Sequence, residues 1–256
     1  MTMSESSHAP TALIKVERDG PIKRITLNRP EKRNALSLEL ATELLLEAQR
    51  SEIDGTRLIV LRGEGKGFCA GFDLSQFPDC TAGDLLLHFV RIEQMLQAFA
   101  HSSVDTLACV HGQTIGAGAD LTLACRHRIG AADTHMMFPG ARFGLVLGSR
   151  RLAECVGADR AQGLIGSVNK VDALHAKEMG LLNGVCESDA WPAYEAKVLT
   201  HVLATPPDAR AMVLRATQRD TREQDLHDLV QSGAALDIKA RLAAYLAQVK
   251  PKKTAP

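Results

Sequence analysis

The chain is poor in aromatic residues: Phe, Trp and Tyr make up only 4% of its 256 residues. With 45% hydrophobic residues overall, its core must be built mainly of Leu, Val, Ile and Ala. It also lacks an excess of either charge. Thirty basic and thirty acidic residues cancel, which removes any general electrostatic pull toward nucleic acid or an anionic membrane. No apolar run reaches the ~18 residues that suggest a transmembrane helix, and no basic segment followed by an apolar one opens the chain. The six cysteines form no CxxC pair and no two histidines stand four apart, so the spacing offers no zinc site. The expectation is a cytoplasmic chain with reduced thiols and no metal.

What is present is an ordered series of strands and helices. Residues 1–10, MTMSESSHAP, read as a disordered start. Residues 12–17 and 22–27 alternate as two strands about the turn signal Asp19-Gly20. NRPEKRN at 28–34 is a polar, proline-containing loop, and a helix follows over 37–50 with Leu40, Leu44 and Leu45 on one face. Strand 58–61 leads into glycine-rich GEGKGFCAG. Thr81 and Asp84 stand at capping-box spacing and open a helix to about Ala100, with Leu85, Phe89, Ile92, Leu96 and Phe99 on its apolar face. Strand 106–110, a short helix over 117–124 and a strand over 128–132 come next. The alternation predicts an α/β fold, either a parallel sheet or stacked β-β-α turns, in units of roughly 45 residues. Beyond Gly148 helix dominates, over 149–166, 172–180, 191–204, 207–219 and 222–247. The expected organisation is a core over 11–195 and a helical C-terminal region over 196–256.

Local motifs mostly fail on their context. GFCAG matches a nucleophile elbow by letters, but Gly63–Gly67 separate Cys69 from the strand and FDLSQFPD opens no helix, so Cys69 reads as a buried filler. Gly65, Gly67 and Ala70 lack the immediate helix a dinucleotide site needs. His88 sits at the edge of an apolar helix face, where a packed or rim histidine is the default. Asp120 admits two readings. It is either a first-turn acid complementing the helix dipole or a carboxylate beside an amide that polarises a carbonyl.

Four segments in order, NRPEKRNAL (28–36), GFCAGFDL (67–74), HGQTIGAGADLTLACRHRIGAADTHMMFPGARFGLVLG (111–148) and KEMGLLNGV (177–185), resemble the crotonase superfamily, also called the enoyl-CoA hydratase/isomerase family. The likeness runs from Leu13 to Leu246. It implies a spiral of β-β-α units with a C-terminal helical trimerisation region, assembled as a homotrimer or hexamer. It also implies an acyl-CoA substrate, with CoA entering as part of that substrate rather than as a resident cofactor. Position by position, the oxyanion-hole amides fall on Phe72 and Ala117, and the first catalytic glutamate falls on Asp120. The second falls on Gly140, which carries no carboxylate, and the nucleophilic aspartate of a dehalogenase branch falls on Gly148. Ala70, Asp73, Leu74, His88 and Arg142 become candidate substrate-binding residues, with His88 or Arg142 candidates to replace the missing glutamate. Lys32 and Arg33 are candidate CoA-phosphate partners, as are Lys250, Lys252 and Lys253. Pocket width is expected to depend on 77–89 and on Met136, Met137 and Phe138. The resemblance leaves three functions open: an enoyl-CoA hydratase or isomerase with an atypical site, a hydrolase or carbon–carbon bond-cleaving enzyme on an acyl-CoA or β-diketone, or a non-catalytic CoA-binding protein.

Overall fold

The turn signal at Asp19-Gly20 closes a hairpin in which β1 (Ile14–Asp19) and β2 (Ile22–Leu27) pair antiparallel, with Asp19 opposite Ile22. The computed structural model describes residues 12–235 and 237–249. The N-terminal ten residues and Lys250, Lys252 and Lys253 lie outside them. After the hairpin come α1 (Leu38–Ser51), β3 (Leu58–Gly63), α2 (Ala82–Ala100), β4 (Asp105–Val110), β5 (Gln113–Ile115), α3 (Ala117–Leu123), β6 (His127–Gly130) and β7 (His135–Met137). The helix-rich part holds α4 (Ser149–Val156), α5 (Ala158–Ser167), α6 (Ala173–Met179), α7 (Trp191–Leu203), α8 (Pro207–Thr217), α9 (Arg222–Ala234) and α10 (Ile238–Val249). Two short strands, β8 (Val171–Asp172) and β9 (Gly184–Val185), fall between these helices.

The strands form a six-stranded sheet of order β1-β2-β3-β4-β6-β9, parallel beyond the hairpin, and a three-stranded sheet of order β5-β7-β8. Three strands of the large sheet, β3, β4 and β6, hand the chain toward the small one before a helix returns it. β4 passes to β5 and α3, and β6 passes to β7 and then α4. β3 passes to Cys69, which bridges Thr114 of β5, and then to α2. These are stacked β-β-α turns.

The period of two along a strand sends alternate side chains to opposite layers. Ile59 and Leu61 of β3 join the main core with α1 and α2, whereas Leu58 and Val60 join a second core with Trp191, Val198 and Val202 of α7. β4 is buried at every position, as a central parallel strand covered on both faces should be. Residue 195, expected to end the core, therefore lies inside a helix that belongs to it. The helix expected over 149–166 is two, because Gly157 (φ +83°) breaks it. The stretch 222–247 likewise holds two helices, α9 and α10.

α2 begins at the capping box read from the sequence: Asp84 N–H donates to Thr81 Oγ1 (3.1 Å) and Thr81 N–H to Asp84 Oδ2 (2.9 Å). The NRPEKRN loop is more than a polar connection. Asn34 is fully buried in a left-handed conformation (φ +54°), which Asn tolerates better than most residues. Its Nδ2 lies 2.8 Å from Glu64 O and 3.1 Å from both Gly67 O and Phe68 O, and its Oδ1 accepts from Arg29 N–H at 2.9 Å. One side chain thus fastens this loop to the glycine-rich segment after β3. Asn34→Ala removes those bonds and leaves buried carbonyls unpaired, so we expect a loss of ~2–4 kcal/mol of stability, read as a lower midpoint in urea unfolding.

Candidate active site

The segment 67–74 runs between two neighbours, each bonding alternate residues. On one side, Cys69 N–H donates to Gln113 O (3.2 Å) and Ile115 N–H to Cys69 O (3.0 Å). On the other, Leu36 N–H donates to Gly71 O (2.7 Å) and Asp73 N–H to Leu36 O (3.0 Å). In this parallel bridge the groups of Gly71 and Asp73 face Leu36, so the Phe72 N–H faces the opposite way. Gly71 has φ +85°, and a Cβ on it would stand 2.6 Å from Ile115 O and 3.2 Å from Ala117 N. Only glycine allows that approach.

Ala117 is turned toward the same place by Gly116. That residue's N–H extends the β5–β7 ladder to Met137 O (2.8 Å), and its φ of +53° swings the chain into α3. Ala117 is then the first residue of the helix, whose amide has no intrahelical acceptor. Among the described residues neither the Phe72 nor the Ala117 N–H has an acceptor. A Cβ on Gly118 would meet Cys69 O at 2.5 Å, so α3 lies directly on the upstream segment. Cys69 is a filler there: its thiol donates to Asn34 O (3.1 Å), and burial pushes its pKa up to about 12.

Phe72 and Ala117 line one cavity of about 80 Å3. Ala70, Gly71 and Leu74 share its wall with Gly116, Pro139 and Gly140, and Leu145 and Leu147 also line it. Phe89 and Phe143 contribute aromatic rings, and α10 supplies Leu242 and Tyr245. Gly140 is open, and a Cβ there would have no neighbour within 4 Å. A separate outer groove of about 610 Å3 is lined by Arg33, Lys66, Gln113 and His135, among others.

Asp120 lies behind the cavity rather than on its wall. Its carboxyl rests against Gly148 (φ +67°), where a Cβ would fall 2.2 Å from Oδ1. Among the described residues it forms no side-chain hydrogen bond. Burial pushes its pKa up to about 8; the Arg151 charge opposes that rise and Glu93 adds to it. Arg151 and Glu93 form a buried two-pronged ion pair, Nη1–Oε1 3.0 Å and Nη2–Oε2 2.5 Å, with Asp225 Oδ2 3.2 Å from Nη1. Burial therefore favours the neutral form of Asp120.

The structure brings Ala70, Phe72, Leu74 and Ala117 together on the cavity, with Asp120 one helical turn beyond the last. Asp73 is directed elsewhere, accepting from Arg29 Nη1 (2.8 Å) and Ser75 N–H (2.9 Å). Burial raises the Asp73 pKa, but these bonds outweigh it and hold the group low. His88 sits behind Phe72, with ring centroids 4.5 Å apart and Nε2 3.0 Å from Leu36 O; burial lowers its pKa. It braces the loop instead of facing the cavity, which removes it as a stand-in for the missing glutamate. Arg142 is exposed and off the wall, and so does not fill that role either. Lys32 and Arg33 are exposed, and only Arg33 borders the outer groove. Of the residues expected to set pocket width, Phe89 at the end of 77–89 lines the cavity, and Met136, Met137 and Phe138 do not. The sequence reading missed Tyr245, Leu242, Phe143 and the Glu93–Arg151 pair. Only Glu93 left a signal, as a lone acid beside Ile92 on an otherwise apolar helix face.

This is the architecture of crotonase-fold proteins. A crystal structure of a Bordetella parapertussis protein named for the enoyl-CoA hydratase/isomerase family superposes with a TM-score of 0.91 at 39% identity, covering 93% of this chain and 100% of the other. An enoyl-CoA hydratase from Bacillus halodurans, 22% identical, shares the fold with a TM-score of 0.80 over 91% of this chain and all of its own. The chain belongs to the enoyl-CoA hydratase/isomerase family, whose sequence profile matches residues 17–244. The echA6 protein of Mycobacterium tuberculosis, named as a probable enoyl-CoA hydratase, is 34% identical over 180 residues, covering 68% of this chain and 72% of echA6. Among the described residues no three His, Cys, Asp or Glu side chains group to hold a metal, and no helix is long and apolar enough to cross a membrane.

The glycine geometry gives a paired prediction. Gly71→Ala forces a Cβ onto Ile115 O at positive φ and should cost ~2–5 kcal/mol. Gly140→Ala enters open space and should stay within ~0.5 kcal/mol of the parent in the same urea titration.

Proposed function

We propose that the protein acts on acyl-CoA thioesters and holds the thioester oxygen on the Phe72 and Ala117 N–H groups while an enolate forms. The observation that carries this reading is the pair of unpaired amides on one apolar cavity. Charge gathering on the thioester oxygen meets donors that need no reorganisation in a site poor in water. One such donor is worth ~3–4 kcal/mol in a serine protease. Family membership supports the substrate class. The CoA moiety would leave the cavity past Ala70 toward the outer groove, where Arg33 and Lys66 suit phosphate and Lys32 flanks them. Assembly as a homotrimer or hexamer belongs to the same reading, and the exposed Leu203, Met212 and Val213 on α7 and α8 offer apolar surface for it.

The reaction we propose is hydration of an enoyl thioester, with Asp120 as the one carboxyl serving proton transfer. It takes the proton of the attacking water as the hydroxyl adds to the β-carbon and returns that proton to the α-carbon as the enolate collapses, since Gly140 carries no second carboxyl. A second reading is favoured by one observation, the burial of Asp120, which favours its neutral form. The enolate released by carbon–carbon cleavage must take up a proton, and a neutral carboxyl can supply it.

The two readings have opposite pH signatures. As a base Asp120 must be ionised, so hydration should rise from pH 6 and level off above about 8, the value to which burial raises the group. Crotonyl-CoA turnover, followed by loss of the conjugated thioester absorbance, checks this. A rate flat below that pH and falling above it assigns Asp120 as the acid instead. Asp120→Asn should lower kcat by ~10²–10⁴ and leave CoA affinity nearly unchanged. Native turnover in that variant removes Asp120 from the mechanism. Gly140→Glu places a carboxyl at the position the resemblance assigns to the second glutamate, where a Cβ has no neighbour within 4 Å, so we expect hydration to rise about tenfold, at or below the low end of what a positioned acid supplies.

A further inference from the structure

The aromatic residues that the sequence is short of are concentrated at the cavity. Four of its ten aromatic side chains follow one another from the upstream amide to the last helix. Phe72 stacks on Phe89 (centroids 4.3 Å), Phe89 stands 6.4 Å from Phe143, and Phe143 meets the edge of Tyr245 at 5.3 Å. Each ring is rigid and large, so this series fixes a wall instead of a deformable lining. Leu145 and Leu147 also line the cavity, and their chain neighbours Val146 and Gly148 line a different cavity of about 300 Å3.

The enclosed space is small. About 80 Å3 compares with roughly 150 Å3 for an engineered cavity that admits benzene, and with ~30 Å3 for one water in the liquid. It therefore has room for about three or four non-hydrogen atoms beyond the thioester oxygen. It is also unsuited to charge. Among the described wall residues there is no carboxylate, amine, guanidinium or imidazole, and the Tyr245 hydroxyl is the one polar side-chain group. A charged acyl terminus there would be desolvated without a partner.

Resting on the acyl-CoA reading above, we infer that the protein selects short, uncharged acyl groups of about four carbons, and that Tyr245 of its own C-terminal helix is the stop that sets their length. The stop comes from the same chain as the amides. In an open apolar groove each added methylene would tighten binding about fourfold. A closed chamber reverses that trend once it is full.

Titration calorimetry of the intact protein with free CoA, butyryl-CoA, octanoyl-CoA and succinyl-CoA tests this. Butyryl-CoA should bind at least tenfold tighter than free CoA, with octanoyl-CoA and succinyl-CoA no tighter than free CoA. Tyr245 is only partly buried, so Tyr245→Ala should fold, and it should improve octanoyl-CoA relative to butyryl-CoA by tenfold or more. Tyr245→Phe keeps the ring and should keep the parent profile. Octanoyl-CoA binding as tightly as butyryl-CoA or tighter overturns the inference, as does succinyl-CoA binding like butyryl-CoA. An unchanged length preference in Tyr245→Ala overturns the role of that residue. Failure of every CoA thioester to bind would instead sink the acyl-CoA reading itself.

Discussion

Two backbone amides kept side by side without acceptors are the constraint on which this structure turns. A buried N–H gains free energy by finding a carbonyl, so a fold that leaves two of them open must occupy every carbonyl that could reach them. Leu36 takes the alternate groups of the upstream segment on one side, and Gln113 and Ile115 take those of Cys69 on the other. Gly116 uses its own N–H on Met137 and then bends away at positive φ, leaving Ala117 at a helix start. The glycines at 71 and 118 let the segments approach to distances no Cβ would allow. Asn34 and Arg29 stabilise the arrangement from behind, binding carbonyls and the Asp73 carboxylate that would otherwise be loose.

The same close packing governs the one carboxyl at the site. Asp120 can lie where it does because position 148 is glycine, so the family position at which a dehalogenase branch carries an acid is here the floor beneath another acid. Burial and Glu93 push Asp120 toward its neutral form, and Arg151 pulls the other way while held by Glu93 and Asp225. Asp120 and the buried ion pair are coupled through charge alone, since no hydrogen bond joins them among the described residues. In contrast, the space at Gly140 is open. A Cβ there would have no neighbour within 4 Å.

Much of the fold was legible because it rests on local rules. The hairpin at Asp19-Gly20, the apolar faces of α1 and α2 and the capping box at Thr81 are fixed by residues within a few positions of one another. The short strands β5, β7 and β8 were missed because two- and three-residue strands carry no periodic signal and exist only through their partners. The break at Gly157 was missed because a single glycine inside a helical pattern is more often tolerated than decisive. At the site, Phe72 and Ala117, singled out by resemblance, line one cavity, whereas His88 and Arg142 were chosen by proximity in sequence to what was missing. His88 proved to be engaged with Leu36 and Phe72, and Arg142 with solvent.

The sequence by itself determined the backbone part of this protein. Glycines at 71, 116, 118 and 148, an N-terminal helix position at 117 and an aspartate one turn later specify which amides are exposed and where a carboxyl follows, because backbone conformation is set by local residues. Only the tertiary structure decided the volume and chemistry of the chamber. Phe72, Phe89, Phe143 and Tyr245 are spread over more than half the chain, and nothing in their spacing says that they meet. The charge state of Asp120 was decided there too, since burial and the charges of Glu93 and Arg151 come from elements distant in sequence.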